Sequence, residues 1–283
     1  MAEISFTSHD DTTLHADVLD RAPTGSDPVI VLAGGAALHP DYLGDLAGLD
    51  RTRPLVVLHQ RGVGRTAPAD PPEAAAWWHQ ARDVEALREH LELETVDLLG
   101  HSAGTRIATA YAAQYADRLR TMTLVTPPSV HLVDAPDDRE ELAARRMHEP
   151  EFAAAIAARD AGPDMSTDET WAEFRAAVAP LGYAAWGPVE RAHSAVGDQH
   201  VESIKAFFSA EPPDDLPDRL RTAEAPVLVV AGRQDLATGL EPVRALAGLF
   251  KNGRIEEIDD CGHFPWVEQP EAFRAAVVPF LTR

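Results

Sequence analysis

Residues 100–104, Gly-His-Ser-Ala-Gly, carry the residue types that nucleophilic catalysis needs, in the pattern G-x-S-x-G. They follow the apolar run Val96–Leu99 and precede an alanine-rich segment with helical periodicity. In such a strand-to-helix turn the central serine adopts a strained conformation that exposes its hydroxyl group. The start of the helix behind it favours developing negative charge. The pattern therefore predicts that Ser102 is a nucleophile at the carboxyl end of a strand.

A serine hydroxyl is a poor nucleophile without a base, and the later part of the chain offers a base and an acid. His263 lies shortly after the run Arg254–Ile258, and Asp235 lies four residues beyond the apolar run Val227–Ala231. In this kind of turn the chain order is serine, then acid, then histidine. Both loops would lie at the carboxyl edge of a parallel sheet, where their side chains can converge. The sequence therefore predicts a triad of Ser102, Asp235 and His263.

Two other acids keep the identity of the orienting acid open. Asp259 and Asp260 precede His263 by only a few residues in the same loop. From that position it is awkward for either carboxylate to reach the far ring nitrogen of the histidine. Asp235 could instead simply cap the turn that follows it, since aspartate is common at turns.

Two backbone N–H groups are predicted to stabilise the oxyanion that a serine attack creates. One belongs to Ala103, and the other belongs to Gly35, in the loop after the apolar run Val29–Leu32. Gly34 and Gly35 lack side chains and therefore let the backbone come close to a substrate. Removing one such donor typically costs ~2.7–4 kcal/mol of transition-state stabilisation. An ordinary glycine turn is the alternative interpretation of this loop.

The elements that must position these residues are visible as an alternation of apolar runs and helical periodicity. Two alternating stretches, Glu3–Thr7 and Leu14–Leu19, predict a hairpin or meander. The apolar runs that follow are residues 29–32, 55–58, 96–99, 122–125, 227–231 and 254–258. Continuous apolar strands between helices are typical of a parallel sheet that is covered on both faces. The prediction is an α/β fold with a mostly parallel eight-stranded sheet and helices on both faces.

The alternation stops in the middle of the chain, where apolar residues recur at helical spacing and no strand is evident. The helices expected there are residues 138–147, 151–159, 168–178 and 200–208. A helical segment inserted into such a sheet is typical of a lid. We therefore predict a core formed by residues 1–129 and 223–283, and a helical cap formed by residues 130–222.

Composition narrows the classes of partner. The chain has 283 residues with 46 acids and 25 bases, a formal net charge of -21. That field repels nucleic acid and anionic membrane surfaces. No segment has the ~18 uninterrupted apolar residues of a membrane helix, and the polar, acidic first ten residues do not resemble a signal peptide. We expect a cytoplasmic protein that is a monomer or a homodimer.

Motifs for other chemistries are absent from the sequence. Cys261 is the only cysteine, which excludes an internal disulfide and a cysteine-ligated structural zinc site. There is no H-E-x-x-H, no P-loop and no G-x-G-x-x-G after a strand. We therefore expect neither a cofactor nor a metal.

Three segments resemble motifs of the proline iminopeptidase-like group of α/β-hydrolases. Residues 29–35 are similar to its His-Gly-Gly-Pro-Gly segment, and residues 59–65 are similar to its Asp-Gln-Arg-Gly-x-Gly-x-Ser segment. Residues 261–265, with Glu268 after them, resemble its histidine end. The resemblance covers residues 28–128 and 225–282. It implies the α/β-hydrolase fold with an inserted cap and a serine nucleophile.

The resemblance also suggests how a substrate could be held. Residues 186–190, Trp-Gly-Pro-Val-Glu, resemble a Trp-x-x-Trp-Glu segment whose glutamate, in the peptidases, helps bind the free amino terminus of the substrate. Ala33 stands where the family has histidine, and Val189 stands where it has the second tryptophan. The residues expected to contact the substrate are Gly34, His101, Trp186, Glu190 and Phe264.

The sequence leaves the substrate open between two classes. One class is a short peptide or amide with a free amino-terminal residue such as proline, and the other is a small ester, lactone or thioester. A cofactor-free haloperoxidase or a C–C bond hydrolase would use the same triad. Haloalkane dehalogenases and epoxide hydrolases are disfavoured because each needs a carboxylate at position 102. A non-catalytic protein that binds a small ligand on the same fold is the alternative from another class.

Overall fold

Eight strands form one sheet in the computed structural model, which describes residues 2–282. The strands are β1 (Ala2–Thr7), β2 (Thr13–Leu19), β3 (Val29–Leu32), β4 (Leu55–His59), β5 (Val96–His101), β6 (Leu119–Val125), β7 (Val227–Gly232) and β8 (Gly253–Ile258). Their order across the sheet is β1-β2-β4-β3-β5-β6-β7-β8. The pairs β1–β2 and β2–β4 are antiparallel, and all others are parallel. The predicted mostly parallel, eight-stranded sheet is confirmed.

The central strands are apolar throughout because helices cover both of their faces. Every residue of β3, β4, β5 and β7 is buried. The edge strand β1 is mostly exposed and alternates instead. This difference in burial is what a parallel sheet with antiparallel edge strands requires.

Eleven helices accompany the sheet within residues 2–282. They are α1 (Ala81–His90), α2 (Gly104–Gln114), α3 (Arg139–Ala144), α4 (Pro150–Ala161), α5 (Asp168–Val178), α6 (Pro188–Ser194), α7 (Val201–Phe207), α8 (Leu216–Thr222), α9 (Glu241–Ala247), α10 (Pro265–Glu268) and α11 (Pro270–Leu281). Side chains of α1, α2 and α9 pack in one apolar cluster with the sheet, and those of α11 pack in a second cluster. The predicted helices on both faces are therefore confirmed.

The segment between β6 and β7 contains α3 to α8 and no strand of the sheet. Leu142, Phe152, Ile156 and Leu181 form a separate apolar cluster there, which also includes Leu236 from the loop after β7. Helices α3 and α4 thus pack in a cluster of their own, whereas apolar side chains of α7 and α8 pack in the main cluster with the sheet. The division into a core and a cap of residues 130–222 stays a prediction, and we call this segment the proposed cap.

The sequence also predicts helices near residues 41–49 and 72–92, and the structure differs at both. The stretch 72–92 is a 3-10 turn, Pro72–Ala75, followed by the shorter helix α1. The chain turns between them at Trp77, whose side chain is buried and whose backbone N–H donates to the carbonyl of Phe207. The helix expected near 41–49 is replaced by 3-10 turns at Pro40–Leu43 and Leu49–Arg51. No helix of residues 2–282 is long and apolar enough to cross a membrane.

Candidate active site

Ser102 lies in the turn between β5 and α2, in the strained conformation that the sequence predicts. Its φ is +48°, in the left-handed region that non-glycine residues seldom occupy. Its backbone N–H donates to the carbonyl of Val125 at 2.9 Å, which ties the turn to the end of β6. Thr105 donates to the Ser102 carbonyl through its N–H at 2.9 Å and its hydroxyl at 2.6 Å. These bonds hold the serine at the carboxyl edge of the sheet.

Glycines surround the turn because neighbouring atoms leave no room for side chains. A Cβ atom on Gly100 would lie 2.9 Å from the backbone of Thr105, and one on Gly104 would lie 2.5 Å from the Ala33 carbonyl. A Cβ atom on Gly34 would lie 2.8 Å from the Cβ of Ser102. The loop after β3 therefore packs directly against the serine.

His263 and Asp235 meet at the same edge of the sheet. The Nδ1 atom of His263 lies 2.8 Å from Oδ2 of Asp235. Asp235 is only 1% exposed, and it also accepts bonds from the Thr238 hydroxyl at 2.5 Å and the Ala237 N–H at 2.8 Å. Because a carboxylate only accepts, its partner nitrogen must carry the proton, which leaves Nε2 of a neutral His263 as an acceptor. Such a ring can take a proton from a hydroxyl group.

The alternative acids lie elsewhere. Asp259 and Asp260 are exposed, and Asp259 pairs with Arg233 at 3.2 Å. Neither forms a hydrogen bond with His263 among residues 2–282. The geometry favours Asp235 as the orienting acid.

No hydrogen bond joins Ser102 and His263. Neither the serine Oγ nor the histidine Nε2 has a hydrogen-bond partner among the described residues. The carbonyl of His263 accepts from the Thr126 hydroxyl at 3.0 Å and lies 3.0 Å from Nε2 of His101, the residue before the serine. These bonds fix the histidine loop against the turn. Catalytic hydrogen bonds are often long before a substrate binds.

Two N–H groups beside the serine have no partner within residues 2–282. They belong to Gly35, which is exposed and has a φ of +67°, and to Ala103. The N–H of Gly34, by contrast, donates to the hydroxyl of Tyr42 at 2.6 Å. Both groups are therefore compatible with the predicted oxyanion hole, and their role in it stays a prediction.

His101 is held inside the fold by both ring nitrogens. Nδ1 lies 2.7 Å from the Tyr42 hydroxyl, and the ring is 2% exposed. Burial lowers the pKa of His101 well below its ordinary value, so the ring is neutral. Nε2 must donate to the His263 carbonyl, and Nδ1 then accepts from Tyr42. A chain of hydrogen bonds thus runs from Gly34 through Tyr42 and His101 to His263, which does not favour the substrate contact predicted for His101.

Aromatic rings form one wall of the site. Phe264 follows His263 and stacks on Tyr183 of the proposed cap with centroids 4.8 Å apart. His193, also from the proposed cap, lies 4.8 Å from Phe264 and 2.7 Å from the Tyr183 hydroxyl through Nδ1. Phe264 is partly exposed and lies next to His263, with ring centroids 5.2 Å apart. This position is compatible with the substrate contact predicted for Phe264.

Trp186 and Glu190 lie on the proposed cap, where each already has a partner. Oε2 of Glu190 accepts the N–H of Gly187 at 2.8 Å, at the start of α6. The guanidinium of Arg191 lies 4.9 Å from the ring centre of Trp186. No hydrogen bond or ring contact joins either residue to Ser102 among residues 2–282. Their predicted contact with a substrate stays a prediction.

Glu268 holds the loop that carries His263, although the sequence indicates it only as part of a motif. Its Oε2 accepts the N–H of Ala184 at 2.6 Å, and its Oε1 accepts those of Gly262 at 3.0 Å and Phe264 at 3.3 Å. Burial raises the pKa of Glu268 to about 7, against the opposing effect of these three donors. The carboxyl group joins the proposed cap to the histidine loop.

Other reactive groups are not assembled into a site. Cys261 is buried, and burial raises the pKa of its thiol far above the ordinary value, which favours packing over reactivity. Among residues 2–282, no group of three or more histidine, cysteine, aspartate or glutamate residues is arranged to hold a metal ion.

The fold and the site geometry define a class of protein. A family model described as alpha/beta hydrolase fold matches residues 27–270, so the chain belongs to the α/β-hydrolase fold family. The proline iminopeptidase of Heyndrickxia coagulans is 28% identical over 91% of this chain and 91% of its own length. This relative confirms the resemblance to proline iminopeptidases.

Solved structures show the same fold. The proline iminopeptidase of Mycobacterium smegmatis has a TM-score of 0.72 at 22% identity, covering 99% of this chain and 98% of that one. Esterase RhEst1 from Rhodococcus sp. ECU1013 has a TM-score of 0.74 at 21% identity, covering 100% of this chain and 99% of that one. These likenesses confirm the fold class, and the family and the relatives together support a hydrolase.

Proposed function

We propose that the protein is a cofactor-independent serine hydrolase that cleaves an amide or ester bond of a small molecule through an acyl-enzyme. The observation that carries the proposal is the pairing of His263 with the buried carboxylate of Asp235 at 2.8 Å, at the sheet edge that bears Ser102. A histidine oriented in this way is the base that a serine nucleophile needs.

In this mechanism the Oγ atom of Ser102 attacks the substrate carbonyl while Nε2 of His263 takes its proton. Asp235 keeps the other ring nitrogen protonated and stabilises the imidazolium that forms. The N–H groups of Gly35 and Ala103 donate to the oxyanion, where charge develops in the transition state. The imidazolium then protonates the leaving group. Water, activated by the same Nε2, attacks the acyl-enzyme and releases the acid.

Covalent labelling tests this mechanism directly. A fluorophosphonate probe should label the wild type at Ser102, and Ser102→Ala should abolish both labelling and ester turnover. Asp235→Asn should lower kcat by a factor of about 10⁴, because the neutral amide no longer selects the required tautomer. Asp259→Asn is the matched control and should behave as wild type. If the folded wild type is neither labelled nor active on any acyl substrate, the protein is instead a non-catalytic ligand-binding member of this fold.

A carboxylesterase, lactonase or thioesterase is the second candidate, and Glu190 favours it. The carboxylate of Glu190 is engaged at the start of α6 by Gly187, 2.8 Å away, which opposes its use as a ligand for a substrate ammonium group. The experiment compares kcat/KM for prolyl-4-nitroanilide and 4-nitrophenyl acetate in the wild type and in Glu190→Gln. Higher ester activity that does not change in the variant supports the second candidate. Selective loss of prolyl turnover in the variant supports the aminopeptidase.

A further inference from the structure

A loop that supplies one proposed oxyanion donor is strained. Gly35, Ala36 and Ala37 have consecutive φ values of +67°, +48° and +68°. Left-handed alanines each cost about 1–2 kcal/mol. Within the loop, only a long bond of 3.3 Å from the Leu38 N–H to the Gly34 carbonyl closes the turn among the described residues. Such strain persists only where the surroundings impose it.

Two sets of contacts hold this loop, the burial of Ala36 and Ala37 in the core and hydrogen bonds from the proposed cap. The N–H of His39 donates to the carbonyl of Asp198 at 2.8 Å, and Leu38 pairs with Gln199 in an isolated antiparallel bridge. The amide Nε2 of Gln199 donates to the carbonyl of Ala36 at 3.0 Å. Three contacts therefore reach the strained loop from residues 197–201, which we call the strap.

Helix α5 holds the strap from its other side. The indole N–H of Trp171 donates to Oε1 of Gln199 at 2.9 Å, and Arg175, one turn later, donates to the carbonyl of Gly197 at 3.2 Å. Asp168, at the start of the helix, accepts the N–H of Val201 at 2.7 Å. The strap thus has fixed partners on both sides, although it lies between elements of the proposed cap.

The side chain of Gln199 is the link that reaches furthest into the loop. It is 8% exposed, so both ends of its amide need partners. An indole N–H can only donate and a carbonyl can only accept, so the amide can sit in one orientation alone. If the amide group of Gln199 were rotated by 180°, its oxygen atom would face the carbonyl oxygen of Ala36.

We propose that Gln199 is a positioning residue for the oxyanion hole, and that the proposed cap holds the Gly35 N–H in place through it. The inference rests on the proposed serine-hydrolase function. Gln199 itself touches none of the proposed reacting atoms. It fixes the carbonyl of Ala36 and thereby the strained turn that aims the preceding N–H at the oxyanion.

The test separates transition-state stabilisation from general support of the fold. Gln199→Leu removes the donor, and Gln199→Glu keeps the shape but places an acceptor against the Ala36 carbonyl. With 4-nitrophenyl acetate, both should lower kcat about tenfold to a hundredfold, less than the ~10²–10³ lost when an oxyanion donor is removed outright. KM should stay within about twofold, because the oxyanion exists only in the transition state. Glu202→Gln, an exposed residue of α7, is the control and should match wild type.

The outcomes are distinguishable from failure of the proposed function. If the wild type is labelled at Ser102 and turns over ester but kcat of the Gln199 variants is unchanged, the inference is wrong and the hydrolase proposal stands. A rise in KM that accounts for the whole loss of kcat/KM would also overturn it. If Gln199→Leu does not fold, the nearly isosteric Gln199→Glu decides. Absence of labelling in the wild type defeats the proposed function itself.

Discussion

The carboxyl group of Glu268 joins two parts of the chain that border the candidate site. It accepts N–H groups from Ala184 in the proposed cap and from Gly262 and Phe264 on either side of His263. Its pKa is raised by burial from 4.5 to about 7. Because the folded state binds this proton more tightly than the unfolded chain does, Glu268 stabilises the fold at low pH, and that contribution is lost as pH rises through about 7.

We therefore predict the pH dependence of the difference in unfolding free energy between wild type and Glu268→Gln. Between pH 4 and pH 8, the free energy of unfolding of the wild type should fall by about 3 kcal/mol relative to that of the variant. Each unit of pKa shift is worth about 1.4 kcal/mol. Urea unfolding across this range measures it, and the subtraction removes the titration of other groups. The exposed Glu271→Gln is the control and should track the wild type. A difference that is flat, or that moves in favour of the wild type as pH rises, contradicts the prediction.

The two histidines of the site show what residue type alone can predict. The sequence order indicated His263 as the base, and the structure places it against Asp235. The substrate contact expected of His101 is not favoured, because its partners lie 59 and 162 residues away in Tyr42 and His263. A local motif such as G-x-S-x-G does not show which distant residues will bond to its histidine. Whether a histidine ring is catalytic or structural depends on such long-range hydrogen bonds, so the sequence pattern alone could not predict it.

The strands of the sheet follow more directly from the sequence than the helices do. The apolar run Val29–Leu32 coincides with β3, because a strand buried on both faces needs an uninterrupted run. Helix α6 (Pro188–Ser194) was not predicted, because none of its residues is buried and its sequence therefore carries no apolar period. The strap was not predicted because one bridge, Leu38 with Gln199, defines it across distant parts of the chain.

The close packing of α2 against β3 predicts the effect of a substitution at Gly104 on stability. Alanine normally stabilises a helix relative to glycine by up to about 1 kcal/mol. At Gly104 the sign should reverse, because an added Cβ atom would press against the carbonyls of Leu32 and Ala33, which cannot move independently of β3. We expect Gly104→Ala to lower the free energy of unfolding by about 1–3 kcal/mol, as overpacking does.

Urea unfolding measures the effect, with Gly248→Ala as the matched control. A Cβ atom on Gly248, at the end of α9, would meet its nearest atom, the Ala245 carbonyl, at an ordinary 3.4 Å. Its φ of -73° suits alanine, so this variant should be neutral or slightly more stable. Equal stability of Gly104→Ala and the wild type would mean that α2 can shift away from β3 without cost.

The long insertion leaves the sheet intact because it connects two neighbouring parallel strands. Met122 of β6 pairs with Val227 of β7, so the segment that carries α3 to α8 leaves from the carboxyl end of one strand and returns to the amino end of the next. Ser102 lies one strand away, at the carboxyl end of β5, which places the proposed cap over the reactive edge. The insertion can therefore contribute to the site without disturbing the parallel register beneath it.

The net charge of -21 then bears on which substrates reach that edge. Several buried acids are neutralised internally, as Asp97 is by Arg53 and Arg120, so the excess negative charge is carried mainly by the surface. A field of one sign raises the local concentration of oppositely charged solutes and lowers that of like-charged ones. Salt screens this field, from a Debye length of about 30 Å at 0.01 M to about 3 Å at 1 M.

We predict opposite salt dependences for acyl substrates that differ only in charge. Raising salt from about 0.01 M to about 0.5 M should lower kcat/KM for a cationic acyl ester and raise it for an anionic one, by up to about tenfold each. A neutral ester of the same leaving group reports any general effect of salt on the enzyme and should change little. Initial rates at substrate concentrations far below KM measure the three values. If the two charged esters respond to salt as the neutral one does, the net charge of the molecule does not steer substrates to the site. If their responses are the reverse of those expected, positively charged groups near the site set the field there instead.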